Sequence, residues 1–196
     1  MSWKFIRRYW HLRALFVLPL ASVLTWATAS AEDAVVPWRT QAKLVVKLAE
    51  YDRSLVAREG PRNVLIVRNN DLLARRAAEA ISMELGTFDT IAGASHKESV
   101  IDFVSVSELL KRVQADSTQI LYVCPGLESS IPVIAEKLSG VTILSIGAAP
   151  SHADLGTVIS FDIHSGRAQI LVNLKQAQKQ HVQLHSEFLK IVKVIR

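Results

Sequence analysis

The sequence predicts an α/β domain in which helices flank both faces of a mostly parallel sheet, with a C-terminal antiparallel hairpin on one edge. Three observations carry that prediction. Residues 63–67 (Asn-Val-Leu-Ile-Val), 119–124 (Gln-Ile-Leu-Tyr-Val-Cys) and 141–146 (Val-Thr-Ile-Leu-Ser-Ile) are short aliphatic runs without regular polar alternation, so they belong to strands buried on both faces. Segments with apolar residues at helical spacing separate them. Near the end, two strand-like stretches flank a turn too short for a crossover, which requires antiparallel pairing.

Residues 40–55 predict a first helix, because Leu44, Leu48, Tyr51 and Leu55 share one stripe. Pro61 breaks the chain before the 63–67 strand. Asn69, Asn70 and Asp71 supply cap chemistry for a second helix to about Leu85, with Leu73, Ala77, Ala80 and Ile81 inward and Arg75, Arg76 and Glu79 outward. Residues 100–104 read as a strand, 107–113 as a short helix and 119–124 as the next strand. Ser129 and Ser130 cap a helix through Leu138, with Pro132 in its first turn, where a missing N–H costs least. After the 141–146 strand, residues 158–163 and 167–172 form the hairpin around His164, Ser165 and Gly166. Residues 174–180 and 185–192 close the chain as two helices, with Phe188, Leu189 and Val192 inward.

Of 196 residues, 49% are apolar, enough to bury a core without disulfides. The formal charge of +5 suggests an anionic partner until its location is read. Lys4, Arg7, Arg8 and Arg13 precede an apolar run over 14–26, followed by Ala29 and Ala31 at the positions a signal peptidase reads. Residues 1–31 are therefore expected to be a secretory signal peptide, cleaved after Ala31, and residues 32–196 a single domain in the periplasm. The apolar run spans only about 20 Å as helix, against about 30 Å of bilayer core, so no stable membrane insertion is expected after cleavage. The residues around Arg7 and Arg8 favour the general secretory route over twin-arginine export. Removing the four leader cations leaves 19 basic against 18 acidic side chains, scattered along the chain, and nucleic-acid binding loses its support.

No catalytic motif is present: there is no G-x-S-x-G, no H-E-x-x-H and no phosphate loop. The first strand leads into Arg68, Asn69, Asn70 and Asp71, without the glycines that let backbone approach a pyrophosphate. His181 and His185 have the i, i+4 spacing of two metal ligands but lack a third, and the segment between them reads as a helix junction; no metal is expected. His96 and His152 read as loop residues without partners, and Glu128, Asp154 and Asp162 as solvated acids. Cys124 reads as a buried, inert thiol, and one cysteine excludes an internal disulfide. Neither catalytic activity nor a cofactor is expected.

Ligands of such sheets bind beyond the carboxyl ends of the strands. The candidate crevice is lined by Asn69, Asn70, Gly126, Ser129, Ser130 and Gly147, with backbone donors at Ser129 and Ser130 able to take a small anion.

The closing segment carries a resemblance. Gly156 to Phe161, the 169–174 run ending in Asn173 and Leu174, Ala177, Leu184, Ser186 and Leu189 with its neighbours resemble the closing signature of the YfiR/HmsC-like family. Residues 41–47 with Tyr51, Asp52 and Arg53 are similar to that family's opening helix. The resemblance spans the expected mature chain and implies structural roles for these residues. It implies a non-enzymatic periplasmic regulator that binds the periplasmic sensor domain of an inner-membrane diguanylate cyclase. Such a regulator represses cyclic-di-GMP synthesis, and with it exopolysaccharide production and biofilm formation. Two departures stand out. The family's well-studied type responds to redox state through cysteine pairs, which Cys124 alone cannot form except between two chains of a homodimer. His181 and His185-Ser186 stand where a Gly and a Ser-Ser pair are expected. A small-ligand binding protein using the crevice is the alternative reading.

Overall fold

A computed structural model describes residues 35–195; the leader read over 1–31 lies outside them. The described residues form one sheet with helices on both faces: α1 (Trp38–Ala49), α2 (Arg53–Val56), β1 (Arg62–Arg68), α3 (Leu72–Leu85), β2 (His96–Asp102), α4 (Val106–Ala115), β3 (Ile120–Val123), α5 (Ile131–Lys137), β4 (Leu144–Gly147), α6 (Ser151–Leu155), β5 (Ile159–His164), β6 (Arg167–Asn173), α7 (Leu174–Lys179), α8 (Ser186–Leu189) and β7 (Lys193–Ile195). The strand order is β2-β1-β3-β4-β5-β6-β7, parallel except for the antiparallel β5–β6 hairpin.

Successive strand residues point to opposite faces, and both faces are dry. Val64 and Ile66 of β1 join Ile120 and Tyr122 of β3 in a core shared with α1 and α3. Leu65, Val67, Leu121 and Val123 enter a second core under α4 and α5. Each such aliphatic side chain, removed fully from water, contributes about 1.5–3 kcal/mol. The continuous aliphatic runs are thus the two-sided burial they predicted.

Several helical expectations are corrected. The 40–55 helix is two helices: α1 stops at Ala49, and Asp52 starts α2 by accepting the Ser54 N–H at 3.0 Å. An Asp side chain that bonds nearby backbone competes with helix continuation. The buried stripe is consequently Gln41, Ala42, Val45, Leu48 and Ala49. In α3 the inward residues are Ala74, Ala77, Ala78, Ile81 and Leu85, while Leu73, expected inward, is 66% exposed beside Leu72. The alanine face lets α3 lie close against α1.

The chain's end also departs from expectation. The hairpin turn has two residues, Ser165 and Gly166, both at positive φ, since His164 already pairs with Arg167. The helix expected over 185–192 is the single turn α8, after which β7 pairs parallel with Leu171, Val172 and Asn173. After β4, where His152 reads as a loop residue, the chain forms a short α6.

Candidate functional site

Strand order reverses between β1 and β3, so the crevice beyond their carboxyl ends is this sheet's topological switch point. The structure brings two of the candidate residues, Asn69 and Gly126, into one network there. Asn69 donates through Nδ2 to the Gly126 carbonyl at 3.0 Å and accepts the Asp71 N–H at 3.2 Å. Asp71 caps α3 through the Ala74 N–H at 2.7 Å, and that bond holds its carboxyl below the ordinary value. Asn70 turns to the Arg75 guanidinium. Gly126 has φ +87°, and a Cβ there would fall 2.4 Å from Asn69 Nδ2, so the loops meet only because this residue is glycine.

The next contacts run from β3 to β4. Glu128 Oε1 accepts the Gly126 N–H at 3.0 Å and lies 3.1 Å from His152 Nε2. His152, expected in a loop without a partner, stands on α6 fully buried. A Cβ on Gly147 would lie 2.2 Å from His152 Cβ, which explains that glycine. Burial pushes the His152 imidazole below its ordinary pKa, against the pull of Glu128. Partial burial pushes Glu128 upward, and bonds from the Gly126 amide, its own amide and His152 outweigh it, holding the carboxyl below its ordinary value. The pair is therefore a neutral imidazole donating Nε2–H to a carboxylate, which leaves Nδ1 as a buried acceptor without a partner. With its ring sealed from solvent, His152 anchors a loop and cannot exchange protons with a bound substrate.

The expected donor at Ser130 is corrected. The Ser130 N–H is taken by the Leu127 carbonyl at 2.9 Å, and Ser130 makes no side-chain cap bond on α5. Cys124 is buried, and burial pushes its thiol up to about 12, so it is neither a nucleophile nor accessible for a disulfide between two chains. His181 and His185 flank a non-helical junction, with His181 at φ +53°. Among the described residues no group of three or more His, Cys, Asp or Glu is placed to hold a metal ion, and no helix is long and apolar enough to cross a membrane.

The signature residues Tyr51, Asp52 and Arg53 form a second network, joining the α1–α2 junction to residues 183–188. Asp52 is buried, and its Oδ1 accepts from Ser54 N, Ser54 Oγ and Gln183 N at 3.0, 2.6 and 3.1 Å. Arg53 N donates to the Gln183 carbonyl at 2.9 Å, and His185 N donates to the Tyr51 carbonyl at 3.0 Å. The Tyr51 ring stacks on Phe188 with centroids 5.0 Å apart. Asn173 caps α7 through the Gln176 N–H and donates to the Ala153 carbonyl at 2.8 Å. Leu174 and Leu189 pack against the core that contains Ala177, while Ser186 opens α8 at the surface. These residues build a clasp and carry no chemistry of their own.

The YfiR/HmsC-like family model matches residues 39–193, from the first turn of α1 to the start of β7. The chain belongs to the YfiR/HmsC-like family. The clasp of this YfiR/HmsC-like chain thus lies within the matched region, at both of its ends. No curated protein matches the chain in sequence. Solved structures share its fold at low identity. The ABC domain in complex with L-Trp from Streptococcus pneumonia is 13% identical, with a TM-score of 0.57 over 79% of this chain and 62% of its own. A ligand-free, open substrate binding protein with adhesive properties from Clostridium difficile is 12% identical, with a TM-score of 0.59 over 79% and 58%. A conserved domain protein from Vibrio cholerae is 13% identical, with a TM-score of 0.56 over 82% and 60%. The YfiR/HmsC-like chain spans about three fifths of these structures' length, and the likeness is one of fold.

Proposed function

We propose that this chain is a non-enzymatic periplasmic regulator that binds the extracytoplasmic domain of a membrane diguanylate cyclase and represses cyclic-di-GMP synthesis. The observation that carries this reading is the family match over residues 39–193. The site chemistry agrees with it: the His152 ring is buried, and the Cys124 thiol is held protonated. The leader over 1–31 is the export signal, removed after Ala31 on the general secretory route; intact mass of the periplasmic protein tests that cleavage.

Repression needs no chemistry on the nucleotide. A regulator that binds the inactive receptor better than the active one moves the equilibrium by its differential affinity. Turning a receptor from 99% active to 99% inactive takes a preference of about 10⁴-fold. The test is co-purification with the extracytoplasmic domains of cyclases encoded near its gene, and cyclic-di-GMP measurement after its deletion. A complex and raised nucleotide are expected; no complex and unchanged nucleotide refute the reading.

A second reading is favoured by the bond between Asn69 and Gly126, which joins two loops at the switch point. Here the crevice, with Asn70, Ser129 and Ser130 on its rim, takes a small ligand that tunes repression. A thermal-shift screen of periplasmic metabolites in which none raises stability refutes it.

A further inference from the structure

The strand β6 is longer than the strand beside it. It runs Arg167–Asn173, but β7 pairs only with Leu171, Val172 and Asn173, so residues 167–170 have, among the described residues, no strand on their outer side. At about 3.3 Å per residue this free edge is roughly 13 Å long. The Asn173 N–H donates to the Val158 carbonyl, which turns Asn173 toward β5, and the β5–β6 register continues without a bulge. Residues 171, 169 and 167 therefore also face β5. The backbone N–H and C=O of Ala168 and Ile170 face outward.

A groove of about 510 Å³ lies along this edge. Arg167 and Gln169 line it from one face of the strand and Ala168 and Ile170 from the other, with His164 at the tip and Ile191 beyond β6. Lining drawn from both faces of one strand places the groove on the strand's edge. Ile191 is 74% exposed, and among the described residues no carboxylate lines the groove and Arg167 is its one permanent charge. The opposite edge of the sheet, β2, carries Lys97, Glu98 and Asp102, the alternating charges that blunt an edge against pairing. The β6 edge presents the small Ala168 and the apolar Ile170 at its outward positions and has no such protection.

We infer that the β6 edge at residues 168–170 is this regulator's docking surface, where an extended segment of its partner adds as a strand; this rests on the reading that the chain binds an extracytoplasmic domain. The partner's segment is acidic and apolar by turns. Main-chain bonds to Ala168 and Ile170 hold it, an acidic side chain meets Arg167, and an apolar one covers Ile170 and Ile191.

Two experiments test this. Amide exchange of the exported chain is followed with a synthetic acetyl-Val-Glu-Val-Glu-Val amide and with its Lys-for-Glu counterpart. Slowed exchange at Ala168 and Ile170 with the acidic peptide alone is expected; no protection there, or equal protection by both peptides, overturns the inference. In the second, the cyclase domain that co-purifies with the chain is titrated with Arg167→Glu and Ala168→Pro. Proline at 168 removes only an outward N–H and Arg167 is exposed, so both variants are expected to keep the wild-type melting temperature within a few degrees. Each should weaken the complex at least tenfold, and Arg167→Lys less than threefold. Wild-type affinity in the Glu and Pro variants refutes the docking surface. Failure of the wild-type chain to capture any cyclase domain refutes the functional reading instead, and the peptide experiment then decides the edge by itself.

Discussion

Asp52 offers a prediction whose size follows from geometry. Its three hydrogen bonds, from Ser54 N, Ser54 Oγ and Gln183 N, all end on the same oxygen, Oδ1. Asp52→Ala removes the cap of α2, worth about 1 kcal/mol, and leaves the Gln183 N–H without its acceptor, at a further cost of about 1–3 kcal/mol. The expected loss is about 2–4 kcal/mol. For a domain of this size that lowers the melting temperature by roughly 5–15 °C. Asp52→Asn keeps an oxygen in the Oδ1 position and can accept the same three bonds, so it should cost under about 1 kcal/mol. Urea unfolding at constant m value measures both. If Asn destabilises as much as Ala, the carboxylate acts through its charge and the hydrogen-bond argument fails; if Ala costs under about 0.5 kcal/mol, the clasp does not hold α2 to residues 183–188.

Other expectations concern the switch point and the thiol. His152 has a lowered pKa in the folded state, so between that value and 6.5 the unfolded chain binds more protons. Stability should therefore be full above 6.5 and fall with decreasing pH below it, by at most about 1.4 kcal/mol per unit from this group; His152→Gln should flatten that slope, and identical slopes in the two proteins refute the assignment. Gly126→Ala forces an alanine to φ +87° with its Cβ against Asn69, and should cost about 1–3 kcal/mol in chemical denaturation; a neutral result means the loops separate freely. Cys124 should resist iodoacetamide at pH 8 in the native protein and react on unfolding, and rapid native labelling contradicts its burial.

Much of the fold was legible because its strands carry their own evidence. A run such as Val64 to Val67 has no polar face to offer water, so two-sided burial follows from composition. The cap residue Asp71 acts within three positions of itself, and the start of α3 beside it could be read locally. The helix faces could not. Whether Leu73 or Ala74 turns inward depends on how closely α3 approaches α1, and the larger apolar residue was the wrong guide. The second half of the last expected helix became β7 because β6 offered it an open edge. At the candidate site, Asn69 and Gly126, both named from sequence, do meet, but the pairing of Glu128 with His152 joins residues 24 apart, and no spacing announces it.

Sequence by itself determined the class of the domain, the strands that fill its middle, the family signature at its two ends and the inert character of Cys124. These depend on composition, on local capping and on hydrophobic period. Tertiary structure decided that the signature is a clasp, that Ser130 has spent its backbone donor, that His152 is sealed against Gly147, and that β6 outruns β7 and leaves an edge open. Each of these is a meeting of segments distant in the chain, and their distances and exposures come into being only when the sheet assembles and its loops compete for the same space and the same hydrogen bonds.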